Sequence, residues 1–532
     1  MVAAKGEDVE FNIPEEMNLC DILVDENLRK GRGDKIAFYY AAEREERITY
    51  RQLLEKINKI GNALKSLGVE VENRVAIVLP DMPQHVETFL GAIRIGAQPV
   101  ALSTLETPQT YEYLLNDSRA KVLVTYGKLA EVIKEAKNKL RYLKHIIVVD
   151  EYSEDFLSYS DLTKDSSPNL EPEPMSKDDF CYWLYSSGTT GPPKGVIHLA
   201  HDPLYSTDTY YKHILNLNED DTIFSTSKLF FAYGIGNTLF ATLRAGASAV
   251  LFPGAPEPNK VFETIQRYKI SLFFSVPVVY SRLLTEKDFE KRYNLSSLRL
   301  CVSAGEALPA AIYESWKRRT GVDILDGIGT TELTHIFISN RVGRIKPGSS
   351  GIPVPGYEVR LVDDEGREVK VGEVGKLLVK GDSIAALYWR KHEKTKRAFL
   401  GEWFFTGDSY YMDEDGFFWH VGRTDDLIKS AGAWVSPVEV EGALLKHPAV
   451  LECAVVQGYT EEGIGRPKAY VVLKSEYQPS EELEKELKEN AHKNLGVGFK
   501  VPTWIVFVKE LPKTATGKIQ RYKLREQPKL QV

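Results

Sequence analysis

Short β-branched runs alternate with amphipathic stretches through the first 300 residues. RVAIVLP (74–80) predicts a buried strand, and PQHVETFLGAIRIGA after it sets Val86, Phe89, Leu90 and Ile93 on one helical face. AKVLVTY (120–126), HIIVVD (145–150), SAVLFP (248–253), SLFFSVP (271–277) and LRLCVSAG (298–305) predict further strands. Such alternation predicts an α/β fold with largely parallel sheets and covering helices. From about residue 345 the texture changes. PGSSGIPVPGYEVRLVDDEGREVKVGEVGKLLVKG is rich in Gly and Pro with period-two alternation, which predicts antiparallel strands and turns, a β-rich subdomain. Past residue 425 a compact α+β pattern resumes, and SEELEKELKENAHKNLG (480–496) predicts an amphipathic helix ended by Gly496.

Composition narrows the class. At 532 residues the chain exceeds what one core supports, so at least two domains are expected. Hydrophobic residues at 43% and charged residues at 27% are ordinary for a soluble globular protein. The formal charge of −7 argues against a generally basic surface, so no nucleic-acid partner is expected. No apolar run approaches the roughly 18 residues of a spanning helix, so no membrane partner is expected either. The acidic start MVAAKGEDVEFNIPEE lacks a signal-peptide core, and the expectation is a cytoplasmic protein. Cys20, Cys181, Cys301 and Cys453 are scattered without a CxxC pair, which predicts reduced core thiols. His198, His335, His420 and His447 lack metal-ligand spacing, and no G-x-S-x-G elbow appears.

Four motifs carry chemistry, and each alone has an ordinary structural explanation. YSSGTTGPPKG (185–195) packs glycine, hydroxyls and Lys194 as a phosphate cradle does, without the Walker A order; a polar turn between strands has the same composition. DGIGTTE (326–332) sets Thr331 beside Glu332, which suits a phosphate oxygen and Mg²⁺, or a helix N-cap. FFTGDSYYMDEDGFFWHVGRTDD (404–426) offers Asp408 and Arg423 to a ribose or phosphate, or forms a hairpin with surface ion pairs. LPKTATGKIQR (511–521) carries Lys518 on a turn, where a lysine is usually a solvated charge.

In this order the motifs are those of a known family. With SAGEALP (303–309), WFFTGD (403–408) and GRTDDLIKSAGAWVSPVEVE (422–441), the chain resembles the acyl/aryl-CoA synthetases of the adenylate-forming superfamily over residues 20–525. KLFFAYGIGN (228–237), DGIGTTELTHIFISN (326–340) and PKTATGKIQRYKLRE are most similar to benzoate–CoA ligases within it. The resemblance implies a large domain over 1–424 and a small mobile domain over 425–532, with Asp425 at the hinge between them. It implies ATP, Mg²⁺ and coenzyme A, and two half-reactions in which a carboxylate is adenylated and then passed to CoA. Ser187, Thr189, Thr190 and Lys194 would hold the departing phosphates, with Thr331 on the α-phosphate and Glu332 on the metal. Gly305, Glu306 and Ala307 would flank the adenine, with Asp326 and Gly327 beside it, and Asp408 and Arg423 would take the ribose. Lys518 would bridge the substrate carboxylate and phosphate. Gly432, in KSAGAW (429–434), would line the pantetheine tunnel after rotation. Phe231, Ala232, Tyr233, Gly329, His335 and Ile336 would enclose a small aromatic acid. Trp434 stands where acetate-type ligases carry arginine, so a phosphate contact available to them is missing here. Another ring acid, a carrier-protein-loading module and a homodimer stay open at this level.

Overall fold

The computed structural model describes residues 2–150, 155–186, 192–430, 433–460, 463–513 and 519–525. Two large sheets dominate. In the first, Arg74–Val78 is flanked by Gln98–Ala101 and Val122–Thr125, all parallel, and His145–Val148 extends the parallel run. Phe180–Ser186 joins parallel to Gln98–Ala101, and Lys194–Leu199 returns antiparallel to it. The second sheet runs parallel through Ser248–Leu251, Thr222–Ser225, Leu272–Ser275, Leu300–Ser303 and Ile324–Gly329, then turns antiparallel at Ile336–Ser339.

Alternate side chains of one strand feed different cores, as the two-residue period of a strand requires. Val75 and Ile77 enter the large core shared by both sheets, whereas Ala76 and Val78 enter a second core on the outer face. Likewise Leu272 and Phe274 face the shared core and Phe273 faces a third. Sheets buried on both faces explain the unbroken apolar runs.

The helix Pro83–Arg94 brings Val86, Phe89, Leu90 and Ile93 into the shared core, as the sequence predicts, and its other side is covered as well. All its residues except Gln84 are buried, the polar His85, Glu87, Thr88 and Arg94 included. The buried Glu87 is held there by Tyr159 Oη at 2.8 Å and Lys56 Nζ at 3.3 Å.

After these sheets, Glu358–Val362, Gly375–Lys380, Trp403–Met412 and Phe418–Arg423 form an antiparallel sheet. Residues 428–524 build cores of their own on the two faces of Val450–Tyr459, Gly465–Leu473 and Trp504–Phe507. Glu481–Leu495 is the expected helix: Ser480 caps its start, and Gly496 ends it at φ +71°. The fold is mixed α/β with large sheets and a smaller C-terminal unit. No helix among the described residues is long and apolar enough to cross a membrane.

Candidate active site

The turn between Ile324–Gly329 and Ile336–Ser339 organises the site. Thr330 caps a short 3₁₀ turn, Thr331–Leu333, by accepting from the Glu332 backbone N–H at 3.0 Å. The capping reading of this motif is thus borne out, with Thr330 as the cap. Glu332 is buried, with Oε2 accepting from the Thr330 hydroxyl and Oε1 from Tyr388 Oη at 2.8 Å. Lys194 Nζ lies 4.0 Å from Glu332 Oε1 and 4.0 Å from the centre of the Tyr388 ring. Burial pulls the Lys194 ammonium below its usual range, and the Glu332 charge only partly restores it.

A buried histidine ties this turn to the first sheet. His198 Nε2 bonds the Thr331 carbonyl at 2.8 Å, and Nδ1 meets Asp202 Oδ2 at 2.7 Å. The ring stacks on Tyr182 with centroids 4.8 Å apart. Two residues on, Thr334 adopts φ +66° and ψ −47°, and the His335 N–H bonds the Leu333 carbonyl at 2.7 Å. This is a γ-turn with positive φ, a strained form for a β-branched residue at a cost of about 1–3 kcal/mol. Its effect is to reverse the chain within three residues, so Glu332 and His335 leave the turn in different directions.

His335 is fully enclosed. Its ring lies 5.4 Å from Tyr233 at 26° and 4.7 Å from Tyr211. Burial drives its pKa down to about 3, so the ring is neutral. Nε2 meets Asn237 Oδ1 at 2.9 Å, and Asn237 Oδ1 also accepts from Tyr211 Oη at 2.8 Å. Nδ1 has no partner. Tyr233 donates to the Val302 carbonyl at 3.2 Å. Phe231 and Ala232 are half-buried, and Ile336 is buried. Gly329 permits the close approach here, because a Cβ would sit 2.6 Å from the His335 carbonyl oxygen.

Asp408 and Arg423 stand directly opposite each other in antiparallel strands, with Arg423 Nη1 3.1 Å from Asp408 Oδ1. Burial raises the Asp408 carboxyl, but Arg423 and His420 outweigh it and hold the group below its usual range. Gly407, at φ +76°, admits the arginine, since a Cβ would meet Arg423 Nη2 at 2.5 Å. The pair is a partly enclosed element of the site, not an exposed hairpin bridge. Arg423 also feels the charge of Glu332, so Lys194, Glu332, Asp408 and Arg423 share one electrostatic neighbourhood.

Asp326 is buried at the end of the parallel run; Oδ2 accepts from the Leu308 N–H at 3.3 Å and Oδ1 has no partner. Gly327 lies against Ile336, and Gly305 turns at φ +94° with Glu306 and Ala307 after it. Asp425 is exposed in the 3₁₀ turn Thr424–Asp426. Ser187, Thr189, Thr190, Gly432 and Lys518 lie outside the described residues.

The sequence reading missed Asn237, His198, Asp202 and Tyr388. His198 and Asp202 carried a signal, the i,i+4 spacing within HLAHD, whereas Tyr388 reaches Glu332 across 56 positions with none.

The pattern of a family described as AMP-binding enzyme matches residues 24–389. The chain belongs to that family. The pattern of the AMP-binding enzyme C-terminal domain matches residues 439–518 as well. The chain is 45% identical to a benzoate–CoA ligase of Thauera aromatica over 97% of both chains. It is 43% identical to a 4-hydroxybenzoate–CoA/benzoate–CoA ligase of Rhodopseudomonas palustris, covering 96% of this chain and 94% of that one. Among solved structures, an anthranilate CoA ligase in complex with anthranoyl-AMP superposes with a TM-score of 0.90 at 45% identity, covering 96% and 97% of the two chains.

Proposed function

We propose that this AMP-binding enzyme is an ATP-dependent aryl-CoA ligase whose preferred acid is benzoate. The observation that carries the reading is the turn at 330–336. It presents Glu332 beside Lys194 at one end and buries His335 against Tyr233 at the other. A site that joins a phosphate and an aromatic acid needs that adjacency.

In the first half-reaction a carboxylate oxygen of the acid attacks the α-phosphorus of ATP, and pyrophosphate leaves. Lys194 and the hydroxyls of 187–190 receive the departing charge, Thr331 contacts the α-phosphate, and Asp408 with Arg423 fixes the ribose. Lys518 sits between carboxylate and phosphate as charge develops. In the second, the CoA thiol attacks the carbonyl of the adenylate, AMP leaves, and the thiol proton passes to solvent. Glu332 fits a magnesium ion as a single carboxylate whose other ligands come from phosphates and water. Among the described residues no group of three or more candidate ligands converges, so the ion would arrive with the nucleotide and neutralise its phosphates. Four free buried cysteines support the assignment to a reducing cytoplasm.

The two-domain reading with a hinge at Asp425 draws support from the anchors on either side of it. Arg423 is bonded to Asp408, whereas Asp426 is paired with Arg525.

His335 bears on the acid. Its Nε2 is taken by Asn237, so that nitrogen is not available to a para-hydroxyl. A para-hydroxyl that does not reach the remaining Nδ1 enters apolar surroundings at a cost of about 1–3 kcal/mol. The orphan Nδ1 favours a second reading, 2-aminobenzoate, whose ortho amino group could donate to it.

The test is kcat/KM for CoA-dependent AMP release with benzoate, 2-fluorobenzoate, 2-aminobenzoate, 4-hydroxybenzoate, acetate and palmitate. Benzoate is expected to lead, with 4-hydroxybenzoate behind by about tenfold or more, or roughly 1.4 kcal/mol of transition-state binding. A lead for 2-aminobenzoate transfers the assignment to the second reading. Failure to form any aryl-CoA without a carrier protein overturns both.

A further inference from the structure

A second cluster of cations lies at the other end of the first sheet. Lys194 and Ser186 stand where Phe180–Ser186 ends and Lys194–Leu199 begins, at the C-terminal edge of the parallel strands. Arg74 opens Arg74–Val78, Lys121 precedes Val122–Thr125, and Lys144 precedes His145–Val148, all at the opposite edge. With Arg119, Arg141 and Tyr142 they line a pocket of about 230 Å³. Five cations therefore converge in a chain whose formal charge is −7.

Nothing of opposite charge closes the pocket from within. Among the described residues, none of the five cations forms an ion pair with a carboxylate. Arg74 gives Nε to the Ser118 carbonyl and Nη1 to the Glu72 carbonyl, both at 2.8 Å. Lys121 Nζ reaches Asn73 Oδ1 at 3.1 Å. The Glu72 carboxylate acts on Arg74 only through its field, while burial and the Arg119 charge together lower the Arg74 pKa. Arg119 is the clearest orphan: its Nε is buried and has no partner.

Both arginines are nonetheless held in place. Arg74 lies over the rings of Trp183 and Trp389, at 5.9 and 6.0 Å. Arg119 lies between Trp389 and Tyr142, at 5.8 and 5.7 Å. Trp389 is itself fixed, donating Nε1 to the Asp117 carbonyl at 2.9 Å. Guanidinium planes braced by aromatic rings keep their N–H forks oriented, which is the arrangement that recognises a planar or tetrahedral oxyanion. Two neighbouring guanidiniums repel each other unless an anion lies between them.

We propose that this pocket binds a small phosphate oxyanion, as the free ion or as the terminal group of a phosphate ester. The lining selects this class: five cations, two of them guanidiniums braced by aromatic rings, and no carboxylate suit a compact oxyanion. The site is separate from the cradle at Lys194 and does not depend on which acid the enzyme takes.

Calorimetric titration of the full chain with inorganic phosphate, at ionic strength held constant with sodium chloride, tests this. One phosphate per chain is expected, weakened about tenfold or more in the double variant Arg119→Gly, Arg141→Gln. Glycine is chosen at 119 because that residue sits at φ +54°, which glycine adopts without strain. Thermal midpoints near that of the wild type confirm that the variant is folded, and Lys128→Ala, an exposed cation outside the pocket, is expected to bind phosphate normally. A parallel titration with ribose 5-phosphate separates the sources: binding there extends the site to esters, and silence restricts it to the free ion. No saturable heat with phosphate overturns the proposal. Binding that survives the double substitution does so too, because the ion then lies elsewhere.

Discussion

Asp326 is a carboxyl that folding removes from water, and the consequence is a pH dependence. Burial pushes its pKa from 3.8 up to about 8, against the opposing bond from the Leu308 N–H. Unfolded, the group loses its proton near 3.8; folded, it keeps it until about 8. Between those values the native state binds more protons, so this group's contribution to stability falls as pH rises, by up to about 1.4 kcal/mol per pH unit. Asp326→Asn removes that slope. In urea titrations at pH 5, 6.5 and 8, the variant is expected to gain on the wild type as pH increases; parallel curves would contradict the assignment. The sequence singled out Asp326 through DGIGTTE, but not its proton, because burial comes from strands and loops far along the chain. His335 teaches the same lesson: THIF marked the position, and only Asn237, 98 residues away, shows that Nε2 is already engaged.

At the level of elements, the segment bearing Phe231, Ala232 and Tyr233 depends on a loop of the other sheet. Asp81, just past Arg74–Val78, accepts the Leu229 N–H on Oδ1 at 2.9 Å and faces Lys228 Nζ at 3.8 Å through Oδ2. Lys228 in turn donates to the Phe252 and Gly254 carbonyls at 2.5 and 2.8 Å. The two groups are buried together: desolvation raises the Asp81 carboxyl to about 6 and lowers the Lys228 ammonium, and each partner's charge only partly offsets that burial. Asp81→Asn keeps an acceptor for Leu229 but drops the charge facing Lys228. A lost charged contact of about 1.5–3 kcal/mol would appear as a rise of about tenfold or more in KM for the acid, with KM for ATP little changed. Equal shifts in both constants would mean a general loss of structure instead. Strands, the capped helix at 481–495 and the late antiparallel sheet were legible because periodicity and turn residues are local signals. The Asp81–Leu229 link was not, since it joins elements 148 positions apart. The burial of Pro83–Arg94 on all sides was equally hidden, because its polar residues are covered by side chains and backbone far along the chain, Glu87 by Tyr159 and Lys56 and Arg94 by Asp25 and Leu170.

Across the whole molecule, the proposed half-reactions call for two arrangements of the same chain, and the contacts on either side of Asp425 support that residue as the proposed hinge. On one side Arg423 is bonded to Asp408, and the Thr424 hydroxyl lies 3.1 Å from that of Ser409, so both belong to the large body. On the other, Asp426 is paired with Arg525, and Arg521 reaches Glu441 at 2.8 Å, so both ends of the small unit are tied together. The exposed Asp425 is the residue between these anchors. A rotation there would also break the bond from the Ser436 hydroxyl to the Val421 carbonyl, a single contact of modest worth. Proline at 425 fixes φ near −65° and restricts Thr424 before it, so Asp425→Pro is expected to hold one arrangement. On the proposed function, Lys518→Ala acts on the other half of the cycle by removing a charge aimed at the adenylation transition state. Rapid-quench assays should therefore separate the two. Asp425→Pro accumulates aryl-AMP and fails to pass it to CoA, whereas Lys518→Ala loses adenylation by about 10²-fold or more yet still forms thioester from supplied aryl-AMP. Loss of both half-reactions in both variants would tie the lysine and the turn to one fixed geometry, and a rotating small domain would no longer explain the chemistry.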